Sequence, residues 1–262
     1  MTLFGTTGEG PSFSFTERQQ ALQVLVDSGI AAAQILVSTS CAALPETVEL
    51  SRHALNLGCP ACLILPPFFL KGVPDQGVVD AYRWIVEHVD DERLKIVLYH
   101  LPQVAGVGLS VGVIRALLDT YPDTIIGLKD SGCQREDSVA FAQAFMPSLQ
   151  VWVGNELDLQ VMAALGTKGA VSGVANVLPR LVGQLISDGA SPRAPAQMAR
   201  IRAFLDLLGG YGMTAAFKGI MAELDQQPGW RHVRPPLVAL NDAEITRLRG
   251  ELGVFGVDRA LD

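Results

Sequence analysis

The chain has 262 residues, of which 49% are hydrophobic and 18% are charged, and it contains 26 Gly and 15 Pro. This composition is typical of a folded chain with a large apolar core and many turns, and it excludes a disordered protein. The formal net charge is −7 and the 20 Lys and Arg residues are scattered along the chain, so we expect no nucleic-acid partner.

The longest apolar stretches are too short to cross a bilayer, and the run over residues 61–70 is also interrupted by Pro66 and Pro67. The first residues show no basic segment followed by an apolar run, so neither a secretory signal nor a transit peptide is predicted. We therefore expect a cytoplasmic protein with no membrane partner. The four cysteines are expected to be reduced thiols in that compartment.

Short apolar runs rich in β-branched residues alternate with longer amphipathic segments over the first two thirds of the chain. This alternation is typical of βα units around a parallel sheet. Seven strands are predicted, over residues 2–4, 34–38, 61–65, 95–99, 124–128, 149–153 and 169–173. Helices are predicted between them, over residues 15–27, 45–57, 76–89, 111–121, 138–145 and 157–165.

From Leu178 onward the apolar period is helical, and residues 188–195 and 226–236 are predicted to be connecting loops. We interpret residues 1–177 as a parallel α/β barrel. Residues 178–262 are interpreted as the last barrel helix and a C-terminal helical extension of the same structural unit. The stronger helices of this part are predicted over residues 196–208, 213–224 and 243–252.

Seven strands are one fewer than the closed sheet of a (β/α)8 TIM barrel requires. No further strand is evident in the C-terminal part, so we interpret the chain as beginning inside the second strand, without the first βα unit. A real truncation predicts unpaired strand edges, low solubility and weak activity. A gene start that lies upstream would instead give a complete barrel.

Lys129 stands at the end of a very apolar predicted strand, which is where α/β barrels carry their functional groups. Burial at that position disfavours the charged ammonium and supplies a neutral amine that can attack a carbonyl. The alternative is a lysine that extends its ammonium into solvent. The following Asp130 is expected to face the helices, because adjacent residues of a strand point to opposite faces.

Tyr99 ends the preceding predicted strand, so its phenol is expected to share a cavity with Lys129 and to exchange protons there. An ordinary strand tyrosine with a hydrogen-bonded tip is the alternative. The turn Gly5-Thr6-Thr7-Gly8-Glu9 follows the first predicted strand and offers backbone N–H groups and two hydroxyls. Such a turn suits a small carboxylate, although it lacks the lysine of a phosphate-binding loop.

Together these features resemble the family of dihydrodipicolinate synthases and N-acetylneuraminate lyases, the pyruvate-dependent class I aldolases. The resemblance spans essentially the whole chain and rests on four motifs, over residues 5–9, 99–106, 127–131 and 166–176. It implies a homo-oligomeric barrel, either a tetramer or a dimer. It also implies that neither a metal nor a cofactor is needed, because a lysine imine with the substrate activates the reacting carbon.

The resemblance also implies a role for each matching residue. Lys129 would form an imine with a 2-keto acid such as pyruvate, Tyr99 would shuttle protons, and Thr6 would be the third catalytic residue. Thr6 and Thr7 with Gly5 would hold the carboxylate of that acid. Residues expected to line the rest of the pocket are Val104, Gly169 and Val171.

Departures from the family pattern bear on the second substrate. Val104 stands where dihydrodipicolinate synthases carry an arginine for a substrate carboxylate, and Phe69 stands where they lend a tyrosine to a neighbouring subunit. We therefore favour a sugar-acid branch, which cleaves a 2-keto-3-deoxy sugar acid or a sialic acid. A dihydrodipicolinate synthase-type condensation and a sugar-acid dehydratase remain alternatives, as does an inactive or binding-only protein. His100 replaces the asparagine that usually follows the tyrosine.

Two cysteines at CxxC spacing, Cys59 and Cys62, precede and enter a buried predicted strand. A second cysteine pair is lacking, and a redox pair belongs at the start of a helix, so neither metal nor redox chemistry is expected of them. Cys133 lies four residues beyond Lys129 and is interpreted as a bystander thiol.

Overall fold

The computed structural model describes residues 1–146 and 148–255. The chain divides into two compact units, the first over Met1–Trp152 and the second from Val153 onward. The predicted boundary at residue 177, and the prediction that both parts belong to one structural unit, stay predictions. No helix in the described part of the chain is both long and apolar enough to cross a membrane.

A sheet organises the first unit, and its six strands in the described chain follow one another in sequence order. The pairs from the first to the fifth strand are parallel. Six of the seven predicted strands are thereby confirmed, with bounds shifted by a few residues. The strands are β1 (Thr2–Leu3), β2 (Leu36–Ser38), β3 (Ala61–Ile64), β4 (Ile96–His100), β5 (Ile125–Asp130) and β6 (Gln150–Val153).

All residues of β3 and β4 are buried, which explains why these strands are continuous apolar runs rather than alternating ones. One buried cluster contains side chains from alternate positions of β3 and β4 and from the loop after β4. Its members include Leu63, Val97, Tyr99 and Leu101. Trp152 of β6 packs against the same cluster.

Gly127 allows Trp152 to lie directly against β5. A Cβ atom at residue 127 would lie 2.2 Å from Cζ3 of the Trp152 ring, far inside van der Waals contact. Glycine within a strand often marks such a close approach. The packing of the sheet around Tyr99 therefore depends on the absence of a side chain at Gly127 as well as on the large ring of Trp152.

Helices alternate with these strands as the sequence predicted. The first of them begins at a capping box, in which Ser14 Oγ accepts from the Glu17 amide at 3.3 Å and Glu17 Oε2 accepts from the Ser14 amide at 2.9 Å. Those of the first unit are α1 (Phe15–Asp27), α2 (Leu44–Asn56), α3 (Asp75–Val89), α4 (Pro102–Ala105), α5 (Val111–Thr120) and α6 (Arg135–Phe145).

Helix α4 was not predicted, because four residues are too short to show a helical apolar period. Its local signals are Pro102 at the first position and Gly106 immediately after it, with φ of 68°. Proline at a helix start and glycine in the left-handed conformation after its end are the usual boundaries of a helix.

The second unit is mainly helical, in agreement with the sequence. Its helices are α7 (Leu159–Ala164), α8 (Pro179–Ser187), α9 (Ala194–Leu208), α10 (Met213–Asp225) and α11 (Asp242–Phe255). The predicted helix over residues 157–165 is a 3-10 turn, Glu156–Asp158, followed by α7. The last residues of the predicted extension, 256–262, lie outside the described residues.

The strand predicted over residues 169–173 is wrong. Only one isolated parallel bridge forms, between Val153 and Ala170. Beyond it Ser172 Oγ donates to Glu156 Oε1 at 2.6 Å, and the backbone then enters a 3-10 turn, Val174–Asn176. Serine side chains often form hydrogen bonds that compete with the backbone hydrogen bonds of a β-sheet, and the hydrogen bond of Ser172 is of this kind.

Candidate active site

Lys129 and Tyr99 lie side by side near the carboxyl ends of β5 and β4, where they are partners in the strand register. Lys129 is 6% exposed and Tyr99 is 2% exposed. The Lys129 Nζ atom lies 3.9 Å from the centroid of the Tyr99 ring, within the range of a cation–π contact. The prediction that these two side chains meet is therefore confirmed, and the alternative of a solvent-exposed lysine is excluded.

Thr6 joins this pair from the loop after β1. Its Oγ1 lies 3.1 Å from the Tyr99 hydroxyl oxygen, and either oxygen can donate the hydrogen bond. A small cavity of about 20 Å³, roughly the room for one water molecule, borders Thr6, Tyr99 and Phe68. Three strand ends thus contribute an amine, a phenol and an aliphatic hydroxyl to one place.

The turn that carries Thr6 is held in an unusual backbone conformation. Phe4 and Glu9, at its two ends, have φ of 59° and 55°, the left-handed region that side chains other than glycine rarely adopt. The Glu9 amide donates to the Thr6 carbonyl at 3.0 Å, which closes the turn. Thr7 and Gly5 are half-buried within it. Their predicted role with a substrate carboxylate stays a prediction.

Asp130 points away from the pair, as the alternation of the strand predicted. Its carboxylate is buried and accepts a hydrogen bond from the Gly132 amide at 2.9 Å and another from the Ser138 hydroxyl of α6. Asp130 therefore fixes the loop after Lys129 to the helix that follows.

His100 also points away from Tyr99, and its role was missed by sequence reasoning. The ring is 4% exposed, its Nδ1 accepts from the Leu109 amide at 2.9 Å, and its edge meets the Phe141 ring at a centroid distance of 5.1 Å. Burial lowers the pKa of His100 from its ordinary value of 6.5, although the carboxylates of Asp130 and Asp137 oppose this shift. His100 is therefore a neutral core residue that anchors the loop after α4.

We expect the stability of the fold to decrease as the pH falls below about 6.5, because unfolding lets His100 take up a proton that its buried ring resists. The unfolded chain binds more protons in the window between the lowered pKa and 6.5. This part of the stability is thus complete above 6.5 and is lost as the pH falls through the folded-state pKa. The midpoint of urea unfolding, measured from about pH 5 to pH 8, checks this.

The variant His100→Asn should flatten the pH dependence, whereas His232→Asn, at an exposed histidine, should leave it unchanged. A slope that persists undiminished in His100→Asn would show that another group carries it.

The remaining predicted site residues lie in different places. Val104 belongs to α4 and is 62% exposed. Gly169 and Val171 belong to the second unit, where both bond to Val153: the Gly169 carbonyl accepts at 3.2 Å and the Val171 amide donates at 2.8 Å. Their contribution to a substrate pocket stays a prediction.

Gln103 is a further residue that sequence reasoning missed. Its Nε2 donates to the Ser131 carbonyl at 2.6 Å and lies 3.4 Å from Cys133 Sγ. Cys133 is exposed and has φ of 57°. Gln103 therefore ties the turn after Tyr99 to the loop after Lys129, a contact that no local sequence pattern announces.

The thiols at CxxC spacing are poor nucleophiles in this fold. Burial raises the pKa of Cys62 to about 12 and also raises that of Cys59. Among residues 1–146 and 148–255, no group of three or more His, Cys, Asp or Glu side chains is arranged to hold a metal ion.

The chain is similar to known proteins over nearly its full length. The model of the dihydrodipicolinate synthetase family matches residues 1–252. An uncharacterised DapA-like lyase of Chloroflexus aurantiacus is 31% identical over 248 residues, which are 94% of this chain and 81% of that protein. Two solved structures share the fold.

The first is dihydrodipicolinate synthase from Agrobacterium tumefaciens, with a TM-score of 0.89 and 30% identity over 97% of this chain and 86% of that one. The second is YagE from Escherichia coli K12, solved in complex with pyruvate, with a TM-score of 0.88 and 21% identity over 98% of this chain and 87% of that one. The α/β fold of this chain thus matches the TIM-barrel fold of these proteins. The chain belongs to the dihydrodipicolinate synthetase family, whose members are class I pyruvate-dependent lyases.

Proposed function

We propose that this chain is a lyase or aldolase in which Lys129 forms an imine with pyruvate or a related 2-keto acid. The observation that supports this most directly is the group of Lys129, Tyr99 and Thr6. A buried lysine amine lies 3.9 Å from the ring centroid of a tyrosine whose hydroxyl is 3.1 Å from a threonine hydroxyl. This is an amine nucleophile beside a hydroxyl pair that can pass protons.

The reaction begins when the neutral Lys129 amine attacks the keto carbon of the acid. Loss of water from the resulting carbinolamine gives the imine, and the water takes the former keto oxygen. The protonated imine withdraws electrons, so a proton leaves the neighbouring carbon and an enamine forms. The enamine carbon then attacks an aldehyde, and hydrolysis of the new imine releases the product and regenerates Lys129. Cleavage is the same sequence in reverse.

Tyr99 moves the proton to and from the departing oxygen in this scheme, and Thr6 holds the Tyr99 hydroxyl in position and relays its proton. Thr7 and the Gly5 backbone bind the carboxylate of the keto acid. We expect Val104, in the turn after Tyr99, to line part of the remaining pocket. The imine is the electron sink, so no metal or organic cofactor takes part.

For the second substrate we favour the uncharged chain of a 2-keto-3-deoxy sugar acid or a sialic acid. Val104 is apolar and Phe69, which is 76% exposed, has no hydroxyl. Neither residue supplies the cation or phenol that a dihydrodipicolinate synthase-type condensation would use. A dehydratase that uses the same Lys129 imine remains the second candidate. The cytoplasmic location, the homotetramer and the absence of a first βα unit stay predictions.

The proposal is tested by following the methyl protons of pyruvate by NMR in heavy water. Enamine formation exchanges these protons without any second substrate, so the test does not depend on knowing the aldehyde. We expect the protein to catalyse exchange well above the rate in buffer. A folded protein that exchanges no pyruvate protons would contradict the proposed imine and would favour an inactive or binding-only protein.

A further inference from the structure

The loop between β3 and α3 comes close to the proposed site and carries a lysine that the scheme above does not use. Phe68 of this loop borders the small cavity next to Thr6 and Tyr99. Three residues later, the Lys71 ammonium donates hydrogen bonds to the carbonyl oxygens of Phe68 and Ala105. Ala105 ends α4, in the turn that follows Tyr99.

We propose that Lys71 is a positioning residue, which holds the loop carrying Phe68 against the turn after Tyr99 and thereby keeps the pyruvate pocket formed. This inference rests on the proposed function. We call the Lys71 side chain and the two carbonyls it contacts the Lys71 bridge.

The chemistry of an ammonium suits this bridge. A lysine carries three donors on a long flexible chain, so one nitrogen can serve two carbonyls from different loops. Within the described residues Lys71 is exposed and takes part in no ion pair, and its ammonium donates to these two backbone oxygens. Hydrogen bonds from a charged donor are stronger than neutral ones.

Gly106 leaves room for the bridge. A Cβ atom at residue 106 would lie 2.8 Å from both Cδ and Cε of Lys71 and 2.9 Å from its Nζ. The lysine therefore passes directly over the glycine that ends α4. Lys71 and Gly106 are both exposed, so the bridge lies at the surface, and the missing side chain of Gly106 sets the path of the lysine across the turn.

The bridge continues toward the nucleophile. In the same turn, the Gln103 side chain donates to the carbonyl of Ser131, two residues beyond Lys129. Lys71 thus connects the loop after β3 to the loop after β4, and Gln103 connects the loop after β4 to the loop after β5. Loss of Lys71 releases the loop after β3 and the turn after Tyr99 from one another, and it leaves Lys129, Tyr99 and Thr6 in place.

A loosened pocket wall has a defined kinetic signature. When only a fraction of the molecules has the loop in place, the apparent affinity equals the intrinsic affinity multiplied by that fraction, while the molecules that bind react normally. For Lys71→Met we expect the pyruvate concentration at half-maximal proton exchange to rise about tenfold and the maximal rate to stay within about twofold. Lys71→Arg keeps a cation with several donors and should restore the value to within about threefold of the wild type.

Lys95→Met is the matched control. Lys95 Nζ also donates to a backbone carbonyl, that of Asp123 at 2.7 Å, but it stands before the start of β4. Its loss should change neither kinetic value. Hydrogen–deuterium exchange read by mass spectrometry should show faster backbone uptake over residues 67–72 and 102–106 in Lys71→Met only.

A Lys71→Met protein with wild-type uptake in these segments would overturn the bridge. Two other results for Lys71→Met would overturn the connection between the Lys71 bridge and the pocket. One is increased uptake with an unchanged half-maximal pyruvate concentration, and the other is a lower maximal rate with an unchanged half-maximal pyruvate concentration. A wild-type protein without any pyruvate exchange would contradict the proposed function, and the uptake comparison would then still decide whether Lys71 fixes the two loops.

Discussion

Lys129→Arg is expected to lower pyruvate proton exchange by at least about 10³-fold, as removal of a covalent nucleophile does in other enzymes. Arginine keeps the positive charge and much of the length of the side chain, and its guanidinium can still stack on the Tyr99 ring. It cannot lose its proton near neutral pH, so it cannot attack a carbonyl. Exchange rates at saturating pyruvate, measured beside the wild type, check this expectation.

The control for Lys129→Arg is Lys95→Arg, which makes the same chemical change outside the site. It should keep wild-type exchange. The thermal unfolding midpoint of Lys129→Arg shows whether the substituted protein is folded. A folded Lys129→Arg protein with more than about a tenth of wild-type exchange would exclude an obligatory imine at this residue.

Tyr99→Phe is expected to reduce the maximal rate by about 10²- to 10⁴-fold, the usual contribution of a positioned proton-transfer group. The substitution keeps the ring that lies 3.9 Å from Lys129 Nζ and removes only the hydroxyl that contacts Thr6. The half-maximal pyruvate concentration should change much less than the rate. The loss of one hydrogen bond should cost about 1 kcal/mol of unfolding free energy.

Tyr82→Phe provides the matched control for Tyr99→Phe. Tyr82 is also fully buried, and its hydroxyl donates to the Ile64 carbonyl at 2.8 Å. Its loss should lower stability by a similar amount and leave the exchange rate unchanged. Equal rate losses in both variants would mean that Tyr99 acts through the stability of the fold and not through proton transfer.

The sequence was sufficient to predict most of the sheet and the pairing of Lys129 with Tyr99. Parallel strands buried on both faces are continuous apolar runs, so β3, β4 and β5 stand out among amphipathic helices. Because consecutive strands of such a fold are neighbours, side chains at their carboxyl ends come together without further information. The direction of Asp130 follows from simple alternation.

Contacts between distant loops could not be predicted in the same way. The bond between Thr6 and Tyr99 joins residues 93 positions apart, and it depends on the left-handed residues that shape the turn after β1. The Lys71 bridge and the Gln103 contact end on backbone carbonyls, which every residue has, so no residue type reveals them.

The two errors have a related origin. The apolar residues at 169–173 suggested a strand, but one side-chain bond from Ser172 to Glu156 diverts the backbone after a single bridge. Helix α4 is set by a proline and a glycine over only four residues. Periodicity describes long elements well and cannot resolve such local competition.

The central claim is that Lys129 forms a covalent imine, and trapping of that imine tests it most directly. The protein and Lys129→Arg are each incubated with pyruvate and borohydride, which reduces an imine to a stable amine, and their intact masses are measured. We predict one pyruvate adduct on the wild type, located at Lys129 by peptide mapping, and none on the variant. A folded wild-type protein that gains no adduct, or an adduct that persists in Lys129→Arg, would contradict this account.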